Sequence, residues 1–258
     1  MQRAETPAPR VFIGTSGWTY DGWRGPFYPQ DVRKKDWLRY YGTHFSTTEV
    51  NGSFYRTPGL DTVRTWRDQT PDGFLFAWKA SKFITHWKRL SDKSRNSIAL
   101  MQTRLKALGP KVGPVLFQLP PQFTANRERL ASFLKLLPKT YDYAFEFRHE
   151  SWYESDILDL LRACGISLCL SDHHDAPAPW TVTARHVYVR GHGPGGAYKG
   201  RYAEATLRRW ARDIVRWSRE GRTVYCYFDN DQKSAAPKDA ARLADMIRAM
   251  AARRRASA

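Results

Sequence analysis

The chain has 258 residues, with 42 Lys plus Arg against 25 Asp plus Glu, a formal charge of +17. That length buries a full core without disulfide or metal staples, and 42% apolar with 14% aromatic residues excludes a disordered chain. No apolar run nears the ~18 residues of a membrane span, residues 1–10 hold no signal-like apolar stretch, and Cys164, Cys169 and Cys226 form no CxxC or zinc spacing, so a cytoplasmic protein without membrane contact is expected.

In chain order, strands are predicted at Val11–Ile13, Ser46–Val50, Phe74–Lys79, Val112–Leu119, Tyr143–Phe147, Ser167–Ser171, His186–Arg190 and Thr223–Phe228. Helical patterns lie between them. They cover Asp36–Phe45, Leu60–Gln69, Lys93–Leu108 (stopped by Gly109-Pro110), Arg127–Leu137 (ended by Pro138) and a helix capped by Ser155 and running to Cys164. Residues 176–183 read as irregular. Glu204–Glu220 is strongly amphipathic, and Pro237 opens a final helix. Eight strand-then-helix units in about 250 residues point to a single (β/α)₈ TIM barrel with long βα loops. An open doubly wound sheet is the alternative, weakened by the lack of GxGxxG after the first strand. The expected organisation is a flexible lead over residues 1–10, the barrel over 11–252 and a basic tail over 253–258.

Active sites of such barrels lie at the C-terminal strand ends. Those ends carry Ser16 with Trp18, Glu49 with Asn51, Lys79, Gln118, Glu146 with Arg148, Asp172, Arg190 with His192, and Asp229-Asn230. Alternation sharpens the pattern. An inward Glu146 takes Ala144 and Arg148 inward and sends Phe145 and Phe147 to the helices. Glu49 and Lys79 behave likewise, leaving Phe76 and Trp78 in the outer layer. Glu49, Glu146, Asp172 and His192 are thus the candidate catalytic groups. Lys79, Arg148 and Arg190 suit an anion, with Arg fitted to bidentate contacts. A purely structural salt-bridge network explains less, because burying so many charges costs desolvation energy.

A divalent metal on Glu49, Glu146, Asp172, His192 and Asp229 is conceivable, but the interleaved cations disfavour it. Loop aromatics, among them Trp18, Tyr55, Trp87, Trp152, Tyr198 and Tyr202, suit either stacking on a ligand or packing over the rim. The Gly191–Gly200 loop suits a phosphate site or a lid. The charge itself suggests a polyanion partner, yet 29 of the 42 basic residues are Arg, a bias that a GC-rich genome produces without selection for binding. A basic stripe of Arg208, Arg212, Arg216 and Arg219 reads first as a solvated helix face.

Ile13-Gly14-Thr15-Ser16-Gly17-Trp18, then Trp23, Gly25 and Phe27-Tyr28-Pro29, resemble the opening of the YecE-like proteins, TIM barrels of unknown function. The resemblance continues through Glu49-Val50-Asn51, Phe54-Tyr55, Lys79, Ile84-Thr85-His86, Gln118-Leu119-Pro120-Pro121, Glu146-Phe147-Arg148, Trp152, Tyr188-Val189-Arg190, His192-Gly193 and Tyr227-Phe228-Asp229-Asn230-Asp231. It implies the barrel and names no reaction. It also implies Asn where this chain has Asp229, which adds a carboxylate to the pocket.

The residues together predict an enzyme, hydrolase- or lyase-like, using acid/base chemistry on a phosphorylated or anionic substrate, nucleic acid included. Glu49 and Glu146 are the acid/base candidates. Ser16, Trp18, Asn51, Tyr55, Lys79, His86, Gln118, Arg148, Trp152, Arg190, Asp229 and Asn230 would bind substrate. The alternatives are a non-catalytic nucleic-acid-binding protein and a small-molecule-binding scaffold.

Overall fold

In the computed structural model, residues 11–255 are described. Residues 1–10 and 256–258, expected as a flexible lead and the end of a basic tail, lie outside the described residues. Eight parallel strands form one sheet, β1 (Val11–Thr15), β2 (Thr47–Val50), β3 (Leu75–Lys79), β4 (Val112–Gln118), β5 (Tyr143–Glu146), β6 (Ser167–Ser171), β7 (His186–Gly191) and β8 (Thr223–Phe228). Their order is β1-β8-β7-β6-β5-β4-β3-β2. Helices α1 (Trp37–Gly42), α2 (Gly52–Tyr55), α3 (Leu60–Gln69), α4 (Arg95–Leu108), α5 (Arg127–Leu134), α6 (Ser155–Ala163), α7 (Glu204–Arg219) and α8 (Ala235–Arg255) surround it. This is the expected (β/α)₈ barrel. No helix among the described residues is long and apolar enough to cross a membrane.

The two-residue alternation sorts the core into two layers. Phe12, Ala77, Leu116, Ala144, Cys169, Tyr188, Tyr225 and Tyr227 fill the inside of the barrel. Phe76, Trp78, Phe145, Phe147, Val50 and the helices' apolar faces make the outer layer. Small Ala77 and Ala144 leave room for the inward tyrosines, so the barrel is packed rather than hollow.

One strand-then-helix unit lacks its helix, at the stretch read as irregular, and one helix cap is shifted. No helix joins β6 to β7; Pro177 and Pro179 remove the N–H groups a helix there would need. Instead Ala178 donates its N–H to the Ser171 carbonyl, and Thr183 both accepts from the Leu168 N–H and donates to the Ile166 carbonyl. Trp180 then lies on Trp210 and Trp217 of α7. Ser155 is the first residue of α6 rather than its cap, since Glu154 is the residue with extended backbone before the helix. The final helix continues to Arg255.

The barrel closes between β1 and β2 at a seam held largely by side chains. Ser16 bridges to Glu49, and the Gly17 N–H donates to the Glu49 carbonyl at 2.8 Å. The Tyr41 hydroxyl accepts from the Thr15 N–H at 2.9 Å and donates to the Thr47 carbonyl at 3.0 Å. Gly14 makes this approach possible, because a Cβ there would lie 2.2 Å from the Thr47 carbonyl oxygen. Gly14→Ala should therefore destabilise the protein by about 1–3 kcal/mol in urea unfolding, the usual cost of overpacking. Gly22→Ala, whose added Cβ meets nothing within 4 Å, should change stability by no more than about 0.5 kcal/mol.

Candidate active site at the barrel mouth

Arg190, near the end of β7, is wholly buried and organises the strand ends. Its Nη1 donates to Glu146 Oε2 at 2.7 Å. Its Nη2 donates to Glu49 Oε1 and to Asp229 Oδ2, each at 2.8 Å, and lies 3.2 Å from Ser16 Oγ. Glu49 also accepts from Ser16 Oγ and, at 2.6 Å, from the Tyr188 hydroxyl. Glu146 accepts from Arg148 Nε at 2.7 Å and Nη2 at 2.6 Å, and from Ser171 Oγ at 3.2 Å. Five strands thus meet on one guanidinium.

His192 completes the group. Its Nε2 faces two donors, Arg190 Nη1 at 3.0 Å and Arg148 Nη2 at 3.2 Å. A guanidinium cannot accept, so Nε2 is the acceptor and the ring proton sits on Nδ1, toward Ser171 and Asp172. Burial, with the two guanidiniums, keeps this histidine neutral by holding it well below the usual histidine range. Asp172 faces the loop after β7, accepting from the His192 N–H at 2.7 Å and from the Tyr202 hydroxyl. Tyr202 in turn accepts from the Gly193 N–H at 2.7 Å. Burial raises Asp172.

Equal burial acts differently on the carboxylates. For Glu146, burial alone would favour the neutral acid, but Arg148 and Arg190 together outweigh it and hold the group well below the usual range. Asp229 shares one guanidinium with two other carboxylates, and burial pushes it up to about 6. Burial, then the charge of Arg190, brings Lys79 down to about 8. Lys79 has no carboxylate within ion-pair distance among the described residues; its Nζ donates to Asn51 Oδ1 at 3.2 Å and lies 4.6 Å from the Phe54 ring centre. Lys79, Gln118, Arg148 and Asp229 each keep a thin edge exposed at the mouth. Gln118 sits opposite Glu146 in the sheet and donates to the Leu119 carbonyl. His86 lies beside Phe54 at 5.0 Å and is held neutral, down to about 4, by burial and by Lys79 and Arg148. Tyr55 stands exposed on the rim.

Three nominated residues point elsewhere. Trp18 packs edge-on against Trp66 and Phe76 in the outer layer. Trp152 is wholly buried, stacked 4.8 Å from Phe147, with its N–H donated to the Phe123 carbonyl. Asn230 donates to the Gly200 carbonyl and to Asp239, tying the glycine-rich loop to α8. Tyr188, Ser171 and Tyr202 belong to the polar network without having been nominated. The inward position of Tyr188, two residues before Arg190, is visible in strand alternation; the reach of Tyr202 is set by the loop's path. Tyr198 from that loop accepts from Arg148 Nη1 at 3.2 Å and covers His192 edge-on.

The carboxylate set considered for a metal is centred on the Arg190 guanidinium, which takes the place a cation would need. A separate group, His173, His174 and Asp175, brings one possible ligand atom from each residue within 4.8 Å of the others in the loop after β6. On α7, Arg208 pairs with Glu204 and Arg216 with Asp213, so half of the basic stripe is neutralised locally.

A family model described as "Protein of unknown function DUF72" matches residues 12–257. The chain is 30% identical over 145 residues to UPF0759 protein YecE of Escherichia coli K12, a match covering 55% of this chain and half the length of that relative. It is 24% identical to UPF0759 protein YunF of Bacillus subtilis over 269 residues, covering 92% of this chain and 94% of YunF. The crystal structure of a DUF72 family protein from Thermotoga maritima superposes with a TM-score of 0.82 at 26% identity, covering 93% of this chain and 99% of that one.

Removing the hub leaves three buried carboxylates without their shared cation. Arg190→Met should cost about 3–5 kcal/mol in denaturant unfolding at neutral pH. Asp229 is raised in the fold from its ordinary 3.8, so its stabilising contribution is complete below about 3.8 and is lost as pH rises through about 6. From pH 4 to 7, wild type should lose stability relative to Asp229→Asn, by no more than about 3 kcal/mol at about 1.4 kcal/mol per unit. Parallel stability profiles for the two proteins would contradict the assignment.

Proposed function

The chain belongs to the DUF72 family, and from that premise we propose that it is an enzyme using acid/base chemistry on a phosphorylated or otherwise anionic substrate at the barrel mouth. One observation carries this reading. Asp229, pushed up to about 6, and Lys79, brought down to about 8, share the same mouth and flank neutral pH. Between those values Asp229 is ionised and able to take a proton, while Lys79 is charged and able to give one. Groups poised near the operating pH are the efficient ones for proton transfer.

Glu49 and Glu146, nominated from sequence as acid and base, serve in this reading as anchors of Arg190. An ionised Glu146 has no proton to donate at neutral pH. His192 fixes the two guanidiniums against each other, and Asp172 holds the loop above them. Arg148, Lys79 and Gln118 offer donors to an incoming anion. The buried charges balance, with Lys79, Arg148 and Arg190 against Glu49, Glu146 and Asp229. Hydrolysis and elimination both need one acid and one base, so a hydrolase- or lyase-like reaction fits.

A binding role without turnover is the second reading. The observation favouring it is that both terminal nitrogens of Arg190 already have their full set of partners. One assay separates the two: phosphomonoesters, phosphodiesters and sugar phosphates with wild type, Lys79→Met and Asp229→Asn. Turnover with a bell-shaped kcat/KM profile and limbs near 6 and 8 is expected, and each variant should lose about 10²–10⁴-fold in rate. Binding of these anions without turnover selects the second reading. Absence of binding to any of them overturns both.

A further inference from the structure

We infer that the rim beside this mouth is a stacking subsite for the base of a nucleotide whose phosphate is held at Lys79 and Arg148. The inference rests on the anionic-substrate reading above and names its substrate class.

Two large rings stand out of the rim. Tyr55 at the end of α2 is 67% exposed, and Trp87 is 66% exposed. Tryptophan and tyrosine usually hide most of their surface, so two rings left in water beside a polar mouth call for a partner with a flat apolar face. Lys82 lies between them, its Nζ 5.7 Å from the Tyr55 ring centre and 5.4 Å from that of Trp87. The groove they border has a volume of about 310 Å³ and is also lined by Phe83, Ile84 and Leu100.

One side chain links the rim ring to the mouth. Phe54 packs edge-on against Tyr55 and against His86, both at 5.0 Å, and carries the Lys79 ammonium 4.6 Å from its ring centre. A planar group on Tyr55 is thus separated from the Lys79 ammonium by a single ring. A nucleotide has that layout, a flat base joined through a short sugar to a phosphate.

The surrounding charge fits the same ligand. Lys82, Lys88 and Arg89 have no carboxylate within ion-pair distance among the described residues. The backbone is also held away from ordinary helix. Phe83–Trp87 is a π-helix, and Arg89 and Leu90 follow with φ of 44° and 61°. Non-glycine residues rarely take that conformation, and π-turns are frequent at functional sites. Here the wide turn presents Trp87 outward, with Phe83 5.7 Å behind it.

Binding of AMP, ribose 5-phosphate and a fluorescein-labelled single-stranded DNA decamer tests the inference. Wild type, Trp87→Ala, Tyr55→Ala and Trp87→Phe are compared at low and moderate salt. Both alanine variants change exposed rings, so the fold should be retained. Wild type should bind AMP about tenfold or more tighter than ribose 5-phosphate, the scale of one base stack. The alanine variants should lose that difference while keeping ribose 5-phosphate affinity, and Trp87→Phe should restore most of it. Tight decamer binding with weak AMP binding, sensitive to the same variants, identifies the nucleotide as part of a strand. Equal affinity for AMP and ribose 5-phosphate in wild type, with no decamer binding that depends on Tyr55 or Trp87, overturns this inference alone. Loss of all phosphate binding overturns the reading beneath it.

Discussion

The structure depends on burying one guanidinium. Moving a cation out of water costs several kcal/mol unless charge and hydrogen bonds replace the lost hydration. Arg190 is wholly buried, and the replacement comes from Glu49, Glu146 and Asp229, from the ends of three other strands. Ser16, just past β1, closes the set. The pairing therefore fixes how five strands line up at the C-terminal end. A lysine could not do this, because an ammonium is a point charge while the planar fork reaches carboxylates on several sides. Among the described residues the Nε of Arg190 finds no hydrogen-bond partner, so its contacts lie at the far end of the fork.

The same constraint creates the proton chemistry. Glu146 receives two guanidiniums and stays ionised; Asp229 shares one guanidinium three ways and binds its proton more tightly. Burial is similar for both, so the difference comes from the cations each carboxylate holds and, for Asp229, from the nearby charges of Glu49 and Glu146. The resemblance implies Asn at position 229. An amide oxygen there would still accept from Arg190, though more weakly than a carboxylate, and would carry no charge and no proton. The carboxylate in this chain therefore adds a titrating group to a hub that could be held together without one.

How much of this was legible in the sequence follows from period and from reach. The two-residue alternation placed Ala144, Glu146 and Arg148 on one side of the fifth strand and Phe145 and Phe147 on the other, as the two core layers have them. Glu49 and Lys79 followed by the same rule. The loop aromatics did not, because packing and stacking need the same residue types. Trp152 turns under the rim to lie on Phe147, whereas Trp87 turns outward on a π-helix whose existence no local pattern announces. Tyr202 reaches Asp172 only because the glycine-rich loop folds back over the mouth, a contact 30 residues apart in sequence.

The net charge of +17 is weaker as a guide than its size suggests. On the helices many basic side chains are cancelled within one turn: Arg64 by Asp61, Arg162 by Asp159, Arg208 by Glu204 and Arg248 by Asp245. Such exposed pairs contribute little stability, but they flatten the field around the outer helices. At physiological salt a charge is felt over about 8 Å. A ligand approaching the mouth therefore responds mainly to the cations next to it. Those are Lys79 at the slit and Lys82, Lys88 and Arg89 along the rim, the last three with no carboxylate within ion-pair distance among the described residues. The direction from which an anion is drawn is set by these few residues and not by the total.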